Sequence, residues 1–178
     1  MALPRELLPN YTVRDYEKWE GDWELIEGIP FALASPSVSH QRVLAYLLHQ
    51  LISQLEECEN CEALPDTDYV VDEYTVLRPD IAVVCNNEGE KIVITPKVVI
   101  EIVSLSTAKN DEITKKRIYE REGVPYYVLV YPDLQKVKIF KNSSKGFKKL
   151  KDLSKETFTF TFEGCEISLD FSKIWTKK

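Results

Sequence analysis

The order of patterns along the chain predicts an α/β (α+β) domain with a mixed central sheet flanked by helices. Three observations carry this. Helical and strand signals alternate as helix, strands, long helix, strands, helix, strands over the 178 residues. The stretch Lys97 to Val103, KVVIEIV, is almost continuously apolar, as a strand covered on both faces requires. From Gln135 onward only short strand patterns follow one another.

The elements justify themselves in order. Thr12 to Glu20 predicts a short helix with Thr12 as its cap. Trp23 to Ile26 and Phe31 to Ala34 predict two strands about a turn at Glu27-Gly28. Ser35-Pro36-Ser37 stops the second strand and caps a long helix. In that helix Val43, Leu44, Leu47, Leu48, Leu51, Ile52 and Leu55 recur at spacings of three and four and form one apolar stripe. Arg78 to Cys85 predicts a strand and Asn86 to Glu90 a turn. Asn110 to Glu122 predicts a polar helix closed by Gly123, and Pro125 to Tyr131 a buried strand. VKIF, GFKKL, TFTFTF and EISL follow as short strands. The alternation of Phe158, Phe160 and Phe162 puts three aromatic rings on one sheet face.

Composition bounds the function. Apolar residues at 44% and charged residues at 29% exclude a disordered or fibrous chain. The length suits a single domain over 1–178, since a chain of roughly 150 residues already buries about 70% of its unfolded surface. No run approaches the ~18 apolar residues of a membrane span. The N-terminus shows no basic flank ahead of an apolar stretch, so no signal peptide is expected. The net charge of −6 argues against a DNA-coating protein and leaves room for a local basic groove. Residues 56–73 carry eight acids and no base, and residues 136–155 carry eight lysines and one acid, Asp152. Both read first as solvated surface, the second also as a surface for nucleic acid. Cys58, Cys61, Cys85 and Cys165 form neither a disulfide framework nor a zinc site, and are expected as reduced thiols in a cytoplasmic protein.

Glu101 stands out because it interrupts a strand that should be buried. A carboxylate survives there only when paired or bound to a cation, unless the strand lies at an edge. Asp80 follows Arg78-Pro79 one strand earlier and could meet Glu101 across a strand pair. Two carboxylates at close range repel unless a cation separates them, and hard oxygen donors suit Mg²⁺ or Mn²⁺. Asp80 alone also fits an ordinary Pro-Asp turn. Asp111, Lys115 and Tyr119 are spaced by four and share a helix face. Lys115 could bring an ammonium to the carboxylates, although the same spacing describes a surface Asp–Lys pair.

These residues resemble the bacterial proteins described as putative restriction endonucleases within the PD-(D/E)XK nuclease superfamily. The matching pieces are Trp23-Glu24-Leu25-Ile26-Glu27-Gly28, Ser35-Pro36 with His40, Arg78-Pro79-Asp80, Val99-Ile100-Glu101-Ile102-Val103-Ser104, the Asp111/Lys115/Tyr119 face, and Gly123-Val124-Pro125. The resemblance implies a restriction-endonuclease-like core with metal ligands on two central strands. Asp80 then matches the motif's Asp and Glu101 its second acid, and the main-chain carbonyl of Ile102 is a further ligand. The usual lysine two residues after the acid is replaced by Val103. Lys115 is the candidate that has moved to the neighbouring helix, with Lys116 as the alternative about 100° around it. Glu24 and His40 are additional candidate site residues, each also explicable as structural.

The resemblance implies a metal-dependent DNA endonuclease holding Mg²⁺ or Mn²⁺ at Asp80 and Glu101, with Lys115 as the third catalytic group and a homodimer as the expected assembly. Arg78, Lys97, Lys109, Lys116 and Arg117 are the bases near these residues in sequence. The missing lysine at Val103 and the acidic net charge support the alternative, a catalytically inactive nuclease fold that binds nucleic acid or protein.

Overall fold

The structure is a computed structural model that describes residues 3–175. Its centre is a six-stranded sheet in the order β10-β9-β8-β7-β6-β3. The strands are β3 (Cys61–Pro65), β6 (Ile81–Cys85), β7 (Val98–Ile102), β8 (Tyr126–Tyr131), β9 (Lys136–Ser143) and β10 (Gly146–Leu153). Only β7 and β8 run parallel; the other neighbours are antiparallel, so the sheet is mixed. A parallel pair needs a crossover of a dozen or more residues. Here the crossover carries a π-helical segment, Asn110–Lys115, running directly into α3 (Lys116–Arg121).

Both faces of this sheet are covered. Val98, Ile100 and Ile102 point to one side, where they pack with α2 (Val38–Leu55) and with the hairpin of β11 (Thr157–Phe162) and β12 (Cys165–Asp170). The predicted apolar stripe of α2 buries Val43, Leu44, Leu47, Leu51 and Leu55 there and half-buries Leu48, whereas Ile52, expected in the stripe, lies at its margin and is 50% exposed. Phe160 and Phe162 are buried in the same layer, with Phe158 packed against it. Gln50 and Gln54 of α2 bond the backbone of Asp170 and Ser168 on β12, so the helix satisfies that edge strand.

Val99 and Val103 point to the other side, toward Ile118 and Tyr119 of the crossover. A smaller sheet, β2-β1-β5-β4, completes this layer. It comprises β1 (Trp23–Ile26), β2 (Ile29–Ala32), β4 (Tyr69–Asp72) and β5 (Thr75–Leu77). Its far face packs Leu25 and Val76 with Tyr16 of α1 (Val13–Tyr16).

Several elements differ from expectation. The second strand starts at Ile29, because Glu27 and Gly28 alone make the turn with φ of 50° and 82°. Glycine is required at 28, since a Cβ would lie 2.6 Å from the Asn10 side chain. The first helix ends at Tyr16, and tight turns bring Trp19 back against Trp23 at 5.8 Å. The strand expected over Arg78 to Cys85 starts only at Ile81, as β6, and β5 ends before it, at Leu77, in the other sheet. Arg78-Pro79-Asp80 is the switch between them. The acidic stretch is more than solvated surface, for it supplies β3 and β4.

The cysteines also differ. The structure pairs Cys58 with Cys165 and Cys61 with Cys85. The expectation of reduced thiols overlooked the tertiary partners. Cys61 and Cys85 face each other across β3 and β6, with Cα atoms 4.0 Å apart. The end of α2 brings Cys58 to the start of β12, at a Cα separation of 5.6 Å. Among the described residues no helix is long and apolar enough to cross a membrane.

The two bridges close loops of very different length, 107 and 24 residues apart in sequence. In the loop-entropy account the longer contributes about 1 kcal/mol more. Replacing Cys58 and Cys165 by Ala is expected to lower the urea midpoint more than replacing Cys61 and Cys85. Equal midpoints would contradict that account.

Candidate active site

The sheet switch places Asp80 just before β6, beside the end of β7. Its Oδ2 accepts the backbone N–H of Ile102 at 2.6 Å. Its own N–H points to Glu101 Oε2 across a long 3.4 Å. A strand residue turns its N–H and C=O toward the same neighbour, so the Ile102 carbonyl also faces the Asp80 side. The second Asp80 oxygen lies 3.1 Å from His40 Nε2. His40 is fixed at the first turn of α2, where the Ser37 hydroxyl accepts its backbone N–H and Gln41 Oε1 lies 3.0 Å from Nδ1. The side chains of His40 and Asp80 keep 16% and 17% of their surface exposed, so the site opens to solvent here.

Behind this opening lies a buried ion cluster. Lys115 Nζ is 2.8 Å from Glu101 Oε1, 2.9 Å from Glu24 Oε1 and 3.6 Å from Asp111 Oδ1. All four side chains are no more than 5% exposed. Glu101 takes an inward position on the strand face it shares with Val99 and Val103, in the middle of the sheet. The edge-strand explanation for it therefore falls, and the charge is paired. Tyr119 donates to Glu101 Oε1 at 2.9 Å, and the Arg78 backbone N–H to Glu24 Oε1 at 2.8 Å. Tyr127 donates to the Asp111 carbonyl at 2.7 Å. The π-helical turn, with its wider i→i+5 closure, carries Asp111 and Lys115 inward together.

The electrostatics follow from burial. Burial works against the Lys115 ammonium, but Glu101, Glu24 and Asp111 outweigh it and hold the group well above its usual range. Burial pushes the Glu101 carboxyl well up; Lys115 opposes this, while Asp111, Asp80 and Glu24 add to it. Asp111 is raised chiefly by burial. Burial also works against the His40 imidazolium, yet its bond to Asp80 and the Asp80 charge leave the net shift upward. Four carboxyl groups thus meet one ammonium and one imidazole, an excess of acid that attracts cations.

The sequence-expected residues Asp80, Glu101, Ile102, Lys115, Glu24 and His40 all meet in this region. Lys116 does not, for its Nζ lies 4.1 Å over the Phe140 ring. Val103 is buried in the second core. Of the bases near these residues in sequence, Arg78 is tied to Asp22, Asp68 and the Tyr16 hydroxyl, Arg117 to Glu27 and Lys97 to Glu163. The sequence signalled Asp111 and Tyr119 only as sharing a face with Lys115. Nothing in it signalled Tyr127 or the Arg78 amide.

The outer part of this arrangement gathers oxygen donors of the kind a divalent cation takes. Among the described residues no three His, Cys, Asp or Glu side chains are grouped as a metal site. Mg²⁺, however, is usually held by one or two carboxylates together with water and substrate phosphate. Asp80, Glu101 Oε2 and the Ile102 carbonyl offer that kind of hard-oxygen set.

Comparison with known proteins matches the chain to a family and to a solved fold. Residues 13–169 match the family described as "Uma2: Putative restriction endonuclease". The fold is similar to the crystal structure of "a putative nuclease belonging to DUF820" from Anabaena variabilis ATCC 29413. The TM-score is 0.73 at 17% identity, covering 92% of this chain and 97% of the other. At that identity the likeness shows the fold. No curated protein matches the chain.

Two outcomes are expected from this geometry. Lys115→Met leaves three buried carboxylates without a counter-charge and should cost about 3–5 kcal/mol in chemical denaturation. Tyr119→Phe, which removes one hydrogen bond, should cost about 1 kcal/mol. Equal losses would contradict the cluster. An NMR titration of His40 should give a midpoint above 6.5 that falls in Asp80→Asn. Because the folded value is raised, the pair's stabilisation is complete below the unfolded value and lost as pH rises through the folded one. A midpoint insensitive to Asp80→Asn would show that the pair is not formed.

Proposed function

The chain belongs to the Uma2 family of putative restriction endonucleases, and we propose that it is a PD-(D/E)XK enzyme hydrolysing DNA phosphodiester bonds with Mg²⁺ or Mn²⁺. The supporting observation is the meeting of Asp80, Glu101 and Lys115 at the open end of β6 and β7. Asp80 and Glu101 are the ligands, with the Ile102 carbonyl. The cation, when bound, stabilises charge on the phosphate and lowers the pKa of a bound water.

The chain's own groups do the remaining work. The Ile102 N–H and His40 hold the two oxygens of Asp80 in place. Tyr119 and Glu24 orient Glu101 and Lys115. Lys115 supplies the positive charge that a lysine at position 103 provides in the common motif, and it faces charge developing on the phosphate. The reacting unit is the single domain 1–178. Two copies form the homodimer that a double-strand cut calls for.

Cleavage of supercoiled and linear DNA tests this reading. Wild type should cut with Mg²⁺ or Mn²⁺ and not with EDTA. Asp80→Asn and Glu101→Gln should each lower the rate by about 10²-fold or more. A wild type that binds DNA but never cuts it would favour the inactive binding module, consistent with Val103 at the lysine position.

A further inference from the structure

The fold sorts the lysines of residues 136–155 onto two faces. On the face of β9 and β10 that carries Phe140 and Phe147, Lys136 and Lys149 share Asp152, and Lys138 meets Glu112. On the opposite face lie Lys141, Lys148 and Lys151. All three are exposed, and among the described residues none of them forms an ion pair. Lys141 Nζ stands 5.5 Å from the centre of the Tyr126 ring, and Lys148 is its direct partner across the ladder. Like charges directly opposite each other destabilise a sheet. A bulge at Leu150 then re-aims Lys151. A regular strand would turn it to the side of Lys149, but the shifted register sets it beside Ile139, on the face of Lys141.

Lysines on an edge strand guard it against pairing with another chain, and β10 is such an edge. Guarding accounts for lysine on either face. It does not account for Lys141 on the inner strand β9, for two ammonium groups set opposite each other, or for a third turned to the same face without an acid. Positive charge left uncompensated in this way is complementary to a polyanion. Lysine is depleted at protein–protein interfaces and is a common partner of phosphate, which favours nucleic acid over an acidic protein.

We propose that Lys141, Lys148 and Lys151 form a backbone-binding surface for nucleic acid, separate from the carboxylate site. The inference rests on the nucleic-acid substrate of the hydrolytic reading and adds a second place of contact to it. The chain as a whole carries a charge of −6, which repels a polyanion, so attraction has to come from a local surface. The ladder row Ile81, Ile100, Val128, Ile139, Lys151 gives the separation from the site. Four strand spacings put Lys151 about 19 Å from Ile81, the residue that follows Asp80. The three lysines therefore reach no reacting atom. They hold phosphates outside the cut, without regard to base sequence.

The test is affinity for a phosphorothioate duplex of about 20 base pairs that is not cut, read by fluorescence anisotropy with Mg²⁺ between about 50 and 200 mM salt. Two triple variants are compared with wild type. One is Lys141→Gln/Lys148→Gln/Lys151→Gln, and the other is Lys136→Gln/Lys138→Gln/Lys149→Gln on the opposite face. Both lose three positive charges, so their net charge is the same. The first should bind about 100-fold more weakly at about 0.1 M salt and lose about 2–3 from the slope of log affinity against log salt. The second should stay within about tenfold of wild type and keep its slope. Lys148→Gln alone, the smallest change, should lose about 1 from the slope. An equal loss in both triple variants, or none in the first, overturns the surface and leaves the hydrolytic reading standing. Poly-glutamate that binds wild type as tightly as the duplex does, and not the first triple variant, also overturns it, in favour of an acidic protein partner. Failure of wild type to bind the duplex at any salt overturns both.

Discussion

The ammonium of Lys115 is the contact on which the arrangement of the layers turns. A charge with 5% of its side chain exposed must be met by opposite charge or not be there at all. The acids that meet it come from three places: Glu24 from the small sheet, Glu101 from the middle of the large sheet and Asp111 from the crossover between β7 and β8. One buried cation thus fixes two sheets and a helix relative to one another. The hydroxyl of Tyr119 and the amide of Arg78 occupy the oxygens that the ammonium leaves partly satisfied. The π-helical turn belongs to the same requirement, since it carries Asp111 and Lys115 on the inner side of one segment.

The switch at Arg78-Pro79-Asp80 is the second constraint. Proline has no amide to give to a sheet ladder, so the chain can leave β5 and enter β6 without abandoning a donor. The residues on either side use what the break frees. The Arg78 amide goes to Glu24, and its guanidinium gathers Asp22, Asp68 and the Tyr16 hydroxyl. Asp80 turns to Ile102 and His40. Three residues therefore join the outer layer, the central sheet and the mouth of the site. Their charges act mainly as structural ties, which explains why a base close in sequence to the site, such as Arg78, is not free to meet a phosphate.

The fold was legible wherever a residue's environment repeats along its own element. The stripe from Val43 to Leu55, the run Lys97 to Val103 and the alternation of Phe158, Phe160 and Phe162 each report a face turned to the core, although Ile52 at the margin of the stripe is half exposed and Phe158 only partly buried. Legibility failed where neighbours in space decide. Arg78 to Cys85 reads as one strand, yet Arg78-Pro79-Asp80 crosses from one sheet to the other and only Ile81 to Cys85 joins a ladder. Cys61 to Pro65 and Tyr69 to Asp72 read as acidic surface because each strand exposes one polar side. The cysteines of the Cys58-x-x-Cys61 pair suggest each other by proximity, and each bonds a partner on another element.

For the site, the sequence by itself determined which residue types were out of place: an acid inside an apolar strand at Glu101, an acid after proline at Asp80, and a lysine on the helix face of Asp111 and Tyr119. Those are local incongruities, readable because a charge in an apolar pattern demands an explanation wherever it sits. Only the tertiary structure decided what the explanation is. It turned Lys115 rather than Lys116 toward Glu101, brought Glu24 across from another sheet and put His40 on Asp80. Pairing between charges 90 or so residues apart depends on where the chain returns in space, and no spacing along one element encodes that.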